Sequence, residues 1–163
     1  MQIKNRIVIL SLLGLLAVGT WFWQTQTSLA APNVNFKTIK GENIDLLALK
    51  GKPVLVTFWA TDCPGCIEEI PHLIQLHQQF STQGLIIVAV AMDYDPPNQV
   101  LAMTAAKKLP YPVALDPSGS LAQSFGNVQL TPTTFLIDKT GKIVLQKTGV
   151  FDLTDMQQRL ARL

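Results

Sequence analysis

Cysteine, histidine and arginine are all scarce in this chain. Of its 163 residues, two are Cys, two are His and three are Arg. Two cysteines cannot build a disulfide framework, and at positions 63 and 66 they are only three apart. A zinc site on that pair would need both histidines, His72 and His77. Five residues apart on a helix, these point about 140° away from each other, so they are read as helix-surface residues and no metal is expected. A basic block is also missing. Lys4 and Arg6 are two of the 13 basic residues, so residues 31–163 carry 11 basic and 11 acidic side chains. A neutral body exerts little pull on nucleic acid, and no such partner is expected. Repeats, low-complexity stretches and cofactor motifs are absent. At 48% hydrophobic the chain is no disordered tail, and its length suits one domain.

What is present begins with an address. Lys4 and Arg6 precede Ile7–Trp23, 17 residues without a charge. As a helix these cover roughly 25 Å, the short end of a bilayer span. Trp21 and Trp23 close the run where interfacial aromatics sit. Ser28 and Ala30 would suit signal cleavage after Ala30. Residues 1–30 are therefore read as an N-terminal membrane anchor through residues 7–23 or a cleaved signal peptide, and residues 31–163 as the folded domain. In both cases the positive end stays in the cytoplasm and the body crosses the membrane. That places it, anchored or secreted, in an oxidising compartment, where thiol pairs tend to oxidise.

The body alternates strand and helix patterns. Val34–Ile39 and a stretch from Ile44 read as short strands around a Gly41-Glu42-Asn43 turn. Val54–Ala60 is apolar almost throughout, which suits a central strand covered on both faces. Pro64–Phe80 has helical apolar spacing, with Pro71 predicting a kink. Leu85–Ala91 is a second buried strand, completing a βαβ unit and implying parallel pairing. Asn98–Leu109 reads as a helix, Val113–Leu115 as a strand and Ser120–Phe125 as a short helix. Thr133–Ile137 and Lys142–Lys147 form a hairpin, and Leu153–Leu163 a terminal helix capped by Asp152 or Thr154.

Cys63-Pro64-Gly65-Cys66 falls between the first buried strand and its helix. Pro64 takes the first helical position, where its missing N–H costs nothing. Free backbone donors and the positive helix end favour a thiolate at Cys63. A thiolate, not a thiol, attacks a disulfide, and Cys66 one turn on is placed to release the partner. A purely structural bridge would close a tiny loop and gain little entropy. A redox-active pair is the expectation.

Phe58-Trp59-Ala60-Thr61-Asp62-Cys63-Pro64-Gly65-Cys66, followed by Glu68-Glu69-Ile70-Pro71 and later by Thr131-Pro132-Thr133-Thr134-Phe135-Leu136-Ile137-Asp138, resembles the TlpA/ResA-type thioredoxin-like proteins. These are exported, often membrane-tethered protein disulfide reductases. The resemblance covers about residues 34–163. It implies an α/β thioredoxin-like fold with a mixed central β-sheet flanked by α-helices. It implies catalytic roles for Cys63 and Cys66, with Glu69 assisting proton transfer. A partly buried carboxylate of raised pKa would suit that role; a solvated helix glutamate is the alternative.

Pro132 matches the family's cis-proline. In that geometry the backbone of Thr131 pairs with an incoming peptide, whereas an ordinary turn proline would be trans. Trp59 is read as wall and core near the sulfurs. Thr57 stands where thioredoxin has a buried aspartate, so Glu69 or water would take over its proton work. Asp62 departs from the family, which usually has Trp there. Its carboxylate would either disfavour the neighbouring thiolate or cap the helix.

The function expected is reduction of disulfides in exported proteins, apocytochrome c being a family substrate. The resemblance implies electrons from a membrane thiol donor of the DsbD/CcdA kind. The alternatives are an oxidant or isomerase using the same chemistry, a peroxiredoxin-like peroxidase and a copper carrier. A peroxidase would want an arginine near its cysteine; only Arg6, Arg159 and Arg162 exist. Nothing marks an obligate interface, and a monomer is expected.

Overall fold

The computed structural model describes residues 29–163. The expected anchor or signal over residues 7–23 lies outside them. Among the described residues no helix is long and apolar enough to cross a membrane.

Two short strands, β1 (Asn35–Lys37) and β2 (Asn43–Asp45), form a separate hairpin. The main sheet has β3 (Val54–Trp59), β4 (Ile86–Ala91), β5 (Val113–Leu115), β6 (Thr133–Ile137) and β7 (Ile143–Thr148) in the order β5-β4-β3-β6-β7. β3, β4 and β5 run parallel; β6 and β7 are antiparallel to their neighbours. The helices are α1 (Pro64–Phe80), α2 (Pro97–Lys107), α3 (Ser120–Ser124) and α4 (Leu153–Leu160). This is the mixed sheet flanked by helices that the family resemblance implies.

All six residues of β3 are buried, as an apolar run without alternation requires. Side-chain parity sorts the core into two layers. Leu55 and Trp59 of β3 pack with Leu73 and Leu76 of α1, Val100 of α2 and Met156 of α4. Val54, Val56 and Phe58 face the other way, onto Phe36 of β1 and Leu121 and Phe125 of α3. Two successive parallel crossovers, β3-α1-β4 and β4-α2-β5, are expected to share one hand, which places α1 and α2 on the same face.

The element ends differ slightly from the sequence reading. α2 stops at Lys107 because Lys108 turns left-handed (φ 51°) and Pro110 cannot follow. α4 stops at Leu160 rather than Leu163 and is capped by Asp152, whose Oδ1 accepts from the Asp155 amide at 2.7 Å. α1 is continuous through Pro71. The β1-β2 hairpin reaches the sheet through Thr38, which bridges Ala114, and through the Ile39 amide, which donates to Val113 O at 2.8 Å.

Candidate active site

The ends of β3 and β4 set the stage. β3 stops at Trp59, and the Met92 amide just past β4 donates to Trp59 O at 3.0 Å. The chain then turns through Thr61 toward the cysteines. Asp95 holds this turn: its carboxylate accepts from the Thr61 amide at 2.8 Å and from Thr61 Oγ1 at 2.6 Å. Asp95 is buried, so its two short bonds replace lost hydration.

Cys63 is the N-cap of α1, with Pro64 opening the helix. The cap is not Asp62, the other candidate in the sequence; Asp62 is exposed beside it. The Cys66 amide donates to Cys63 Sγ at 3.2 Å, and the Ile67 amide to Cys63 O at 3.1 Å. A helix-end donor aimed at the sulfur is what a Cys63 thiolate needs. The two cysteines are joined in a disulfide, their Cα atoms 5.2 Å apart. Cys63 is half-buried while Cys66 is 2% exposed, so a partner reaches Cys63 first.

The Thr131–Pro132 peptide is cis. Pro132 packs against the cysteine turn: a Cβ built on Gly65 would lie 3.3 Å from both Pro132 Cδ and Val150 Cγ2. Gly65 thus permits this close approach. Pro132 O accepts from the Gly149 amide at 2.8 Å, leaving its loop tied to the sheet. Thr131 is half-buried, and its hydroxyl lies 3.4 Å from Tyr94 Oη.

Glu69 is not a solvated helix residue. It is 1% exposed, on the face of α1 that packs on the sheet. Thr57 Oγ1 donates to Glu69 Oε2 at 3.3 Å, and Thr134 Oγ1 lies 2.9 Å from Thr57 Oγ1 and 3.4 Å from the same carboxyl oxygen. The Phe151 amide donates to Oε1 at 3.3 Å. Burial pushes the carboxyl up from 4.5 to about 7, against the opposing pull of these donors. Glu69, Cys66, Trp59, Thr57 and Tyr111 line one enclosed cavity of about 10 Å³, the size of a single water site. Tyr111 is buried there, and burial together with the Glu69 charge pushes its phenol upward.

The structure thus brings Trp59, Cys66 and Glu69 around one cavity, and packs Pro132 against Gly65 between the two cysteines. The sequence reading missed Thr134, Tyr111 and Asp95. A usable signal existed for the first: Thr57 is the one polar residue of β3, and Thr134 is its register partner in β6. His72 and His77 correct the surface reading. Both are half-buried, with Nδ1 enclosed and unpartnered, and their rings lie 6.0 Å from Phe151 and 6.3 Å from Tyr111.

Arg159 is bound to Asp155 on α4 at 2.8 Å.

Known proteins resemble this chain in sequence and fold. The Redoxin family model matches residues 26–160. The thiol-disulfide oxidoreductase ResA of Bacillus thuringiensis (strain Al Hakam) is 35% identical over 159 residues, covering 90% of either chain. The thioredoxin-like protein YneN of Bacillus subtilis (strain 168) is 34% identical over 132 residues, 80% of this chain and 76% of that one. Among solved structures, a thiol:disulfide interchange protein of the thioredoxin family from Chlorobium tepidum TLS superposes with TM-score 0.75 at 26% identity, covering 83% and 95% of the two chains. The α/β fold is therefore thioredoxin-like. With a disulfide-forming Cys-x-x-Cys pair at a helix start and relatives at this identity over most of its length, the chain belongs to the Redoxin family as a ResA-type thiol-disulfide oxidoreductase.

Proposed function

We propose that this enzyme works as a reductase of disulfides in exported polypeptides. The observation that carries the proposal is the buried Glu69 carboxyl on the same small cavity as Cys66. The Cys63 thiolate attacks one sulfur of the substrate disulfide. A mixed disulfide forms, and the other substrate sulfur leaves as a thiolate and takes up a proton. Cys66 then gives its proton to the Glu69 carboxylate and attacks Cys63 Sγ. The second substrate sulfur leaves, and two electrons have passed from the enzyme pair to the substrate. With its carboxyl held near pH 7, Glu69 is poised to take that proton and return it.

The backbone of Thr131, next to Pro132, pairs with the substrate chain as an added strand. Trp59 walls the sulfurs from behind. Residues 31–163 form the working domain. Residues 1–30 deliver it to the periplasmic side of the inner membrane, either as an anchor through residues 7–23 or as a signal removed after Ala30. A membrane thiol donor of the DsbD/CcdA kind re-reduces the pair, and apocytochrome c is one substrate known for the family, which this sequence does not itself select.

The test is the reduction potential of Cys63–Cys66, measured by equilibration with glutathione or dithiothreitol. A value close to the thioredoxin reference of about −270 mV supports the reductase. A value near the strong-oxidant reference of about −120 mV overturns the direction.

A further inference from the structure

A groove of about 420 Å³ opens between the loop that follows β4 and the segment that leads into the Thr131–Pro132 loop. Its lining includes Asp93, Tyr94, Gly119, Gln123, Asn127 and Gln129. It is continuous with the loop that ends at Pro132: Asn127, Val128 and Gln129 lead directly into Leu130, Thr131 and Pro132. Tyr94 lines the groove and meets the Thr131 hydroxyl at 3.4 Å. An extended chain rises about 3.3 Å per residue. A peptide paired along Thr131 therefore carries its neighbouring side chains over this groove within a few residues of the attacked cysteine.

The groove holds one charged side chain, Asp93. Asp93 is exposed, and among the described residues its carboxylate accepts no hydrogen bond and joins no ion pair. Its neighbours are different. Asp95 is taken up by Thr61, and Asp116 by the Leu121 and Ala122 amides at 3.1 and 2.8 Å. No Lys or Arg occurs in residues 53–106 or 109–138, the stretches that supply the cysteine turn, the groove and the Pro132 loop. Gly119 lies directly against the Asp93 carboxylate. Gly119 has φ +69°, and a Cβ there would already lie 3.6 Å from Asp93 Oδ2. Beside the apolar Met92, Ala122 and Val128, the lining carries the Gln123, Asn127 and Gln129 amides and the Tyr94 and Ser118 hydroxyls, whose oxygens accept hydrogen bonds from an ammonium or guanidinium group.

We infer that this groove is a substrate subsite for a Lys or Arg side chain lying a few residues from the target cysteine, with Asp93 as its counter-charge. The inference rests on the proposed attack of Cys63 on a polypeptide disulfide held along Thr131. It adds a specificity: disulfides in cationic segments are taken ahead of those in acidic ones.

The test uses the full chain carrying Cys66→Ser, which stops at the mixed disulfide whichever way the enzyme runs. Three disulfide-linked peptide dimers of one length are offered, with Lys, Ala or Glu two residues to either side of the cysteine. Each rate of adduct formation is divided by the rate of the same peptide with dithiothreitol, which removes the peptide's own reactivity. The Lys peptide is expected about fivefold faster than the Glu peptide, the size of a surface charge pair. That ratio is expected to fall below about twofold with Asp93→Asn and in high salt. Gln123→Lys, which puts the opposite charge into the groove, is expected to favour the Glu peptide. Equal rates for Lys and Glu, or a preference that survives Asp93→Asn, overturn the subsite. Failure of all three peptides to form an adduct overturns the assignment of Cys63 as nucleophile, and the subsite with it.

Discussion

Thr57 and Glu69 meet across the space between sheet and helix, with Thr57 Oγ1 3.3 Å from Glu69 Oε2. Thr57 belongs to β3, the strand leading into the cysteine turn, and Glu69 to α1, the helix leading out of it. The Glu69 carboxyl is thus hung from the helix and steadied by the strand, with Thr134 of β6 behind it.

Glu69 ties stability to pH. Its carboxyl holds its proton to about pH 7 in the fold and to about 4.5 in the unfolded chain. Between these values the folded state binds more protons, so stability falls as pH rises through the window. The stabilisation is fully present below about pH 4.5 and is lost once pH passes about 7. The drop amounts to about 3 kcal/mol at most. Urea unfolding of the wild type and Glu69→Gln at pH 5 and pH 8 measures it. Glu69→Gln is expected to lose this component, so the variant gains on the wild type at pH 8.

Thr57→Val and Thr134→Val each remove a hydroxyl that favours the ionised carboxylate. The Glu69 titration is expected to move further upward, by up to about one pH unit per variant, the weight of one hydrogen bond to a charged group. Carbon-13 NMR of the labelled carboxyl follows this directly. The pH profile of disulfide exchange is expected to shift the same way. A downward shift would show that the hydroxyls act as acceptors instead.

The two sulfurs are expected to differ in reactivity. After reduction, Cys63 should be alkylated by iodoacetamide at pH 6.5 at least about tenfold faster than Cys66. Cys63 sits at the helix start with a backbone donor on its sulfur, and Cys66 is enclosed. Mass spectrometry of the partially labelled chain measures the ratio. Equal labelling would remove the assignment of Cys63 as the attacking thiol.

Asp95→Ala leaves the Thr61 amide and hydroxyl without their acceptor. The expected loss of stability is about 1–3 kcal/mol by urea unfolding. Exchange is expected to slow as well, because the turn that delivers Cys63 is no longer held to the end of β4. Unchanged exchange would show that α1 alone positions the cysteine.

Much of this was legible in the residues themselves. The apolar runs at 54–59 and 86–91 dictate buried strands, and Pro64 and Gly84 bracket a helix with 3.6-residue spacing between them. Pro64 beside Cys63 puts that sulfur at the helix start through local chemistry alone. Local periodicity and capping therefore settled the element order and the position of the redox pair, while the family resemblance rests on the motif residues around that pair and at Thr131–Asp138. The ends of α2 and α4 were less legible, because fraying and a left-handed Lys108 depend on how the chain beyond each helix packs.

Tertiary structure alone decided the rest. Whether Glu69 is solvated or buried could not be read from its place in α1, because that depends on what the sheet offers it. Thr57 and Thr134, 77 residues apart, supply that surface only once β3 and β6 are paired. The same holds for Asp95, which meets Thr61 34 residues away, and for Tyr94 against Thr131. The sequence by itself determined which chemistry the chain carries, because a thiol pair at a helix start is a local arrangement. The fold decided how protons and partners reach it, because burial and hydrogen bonding are properties of neighbours in space rather than in sequence.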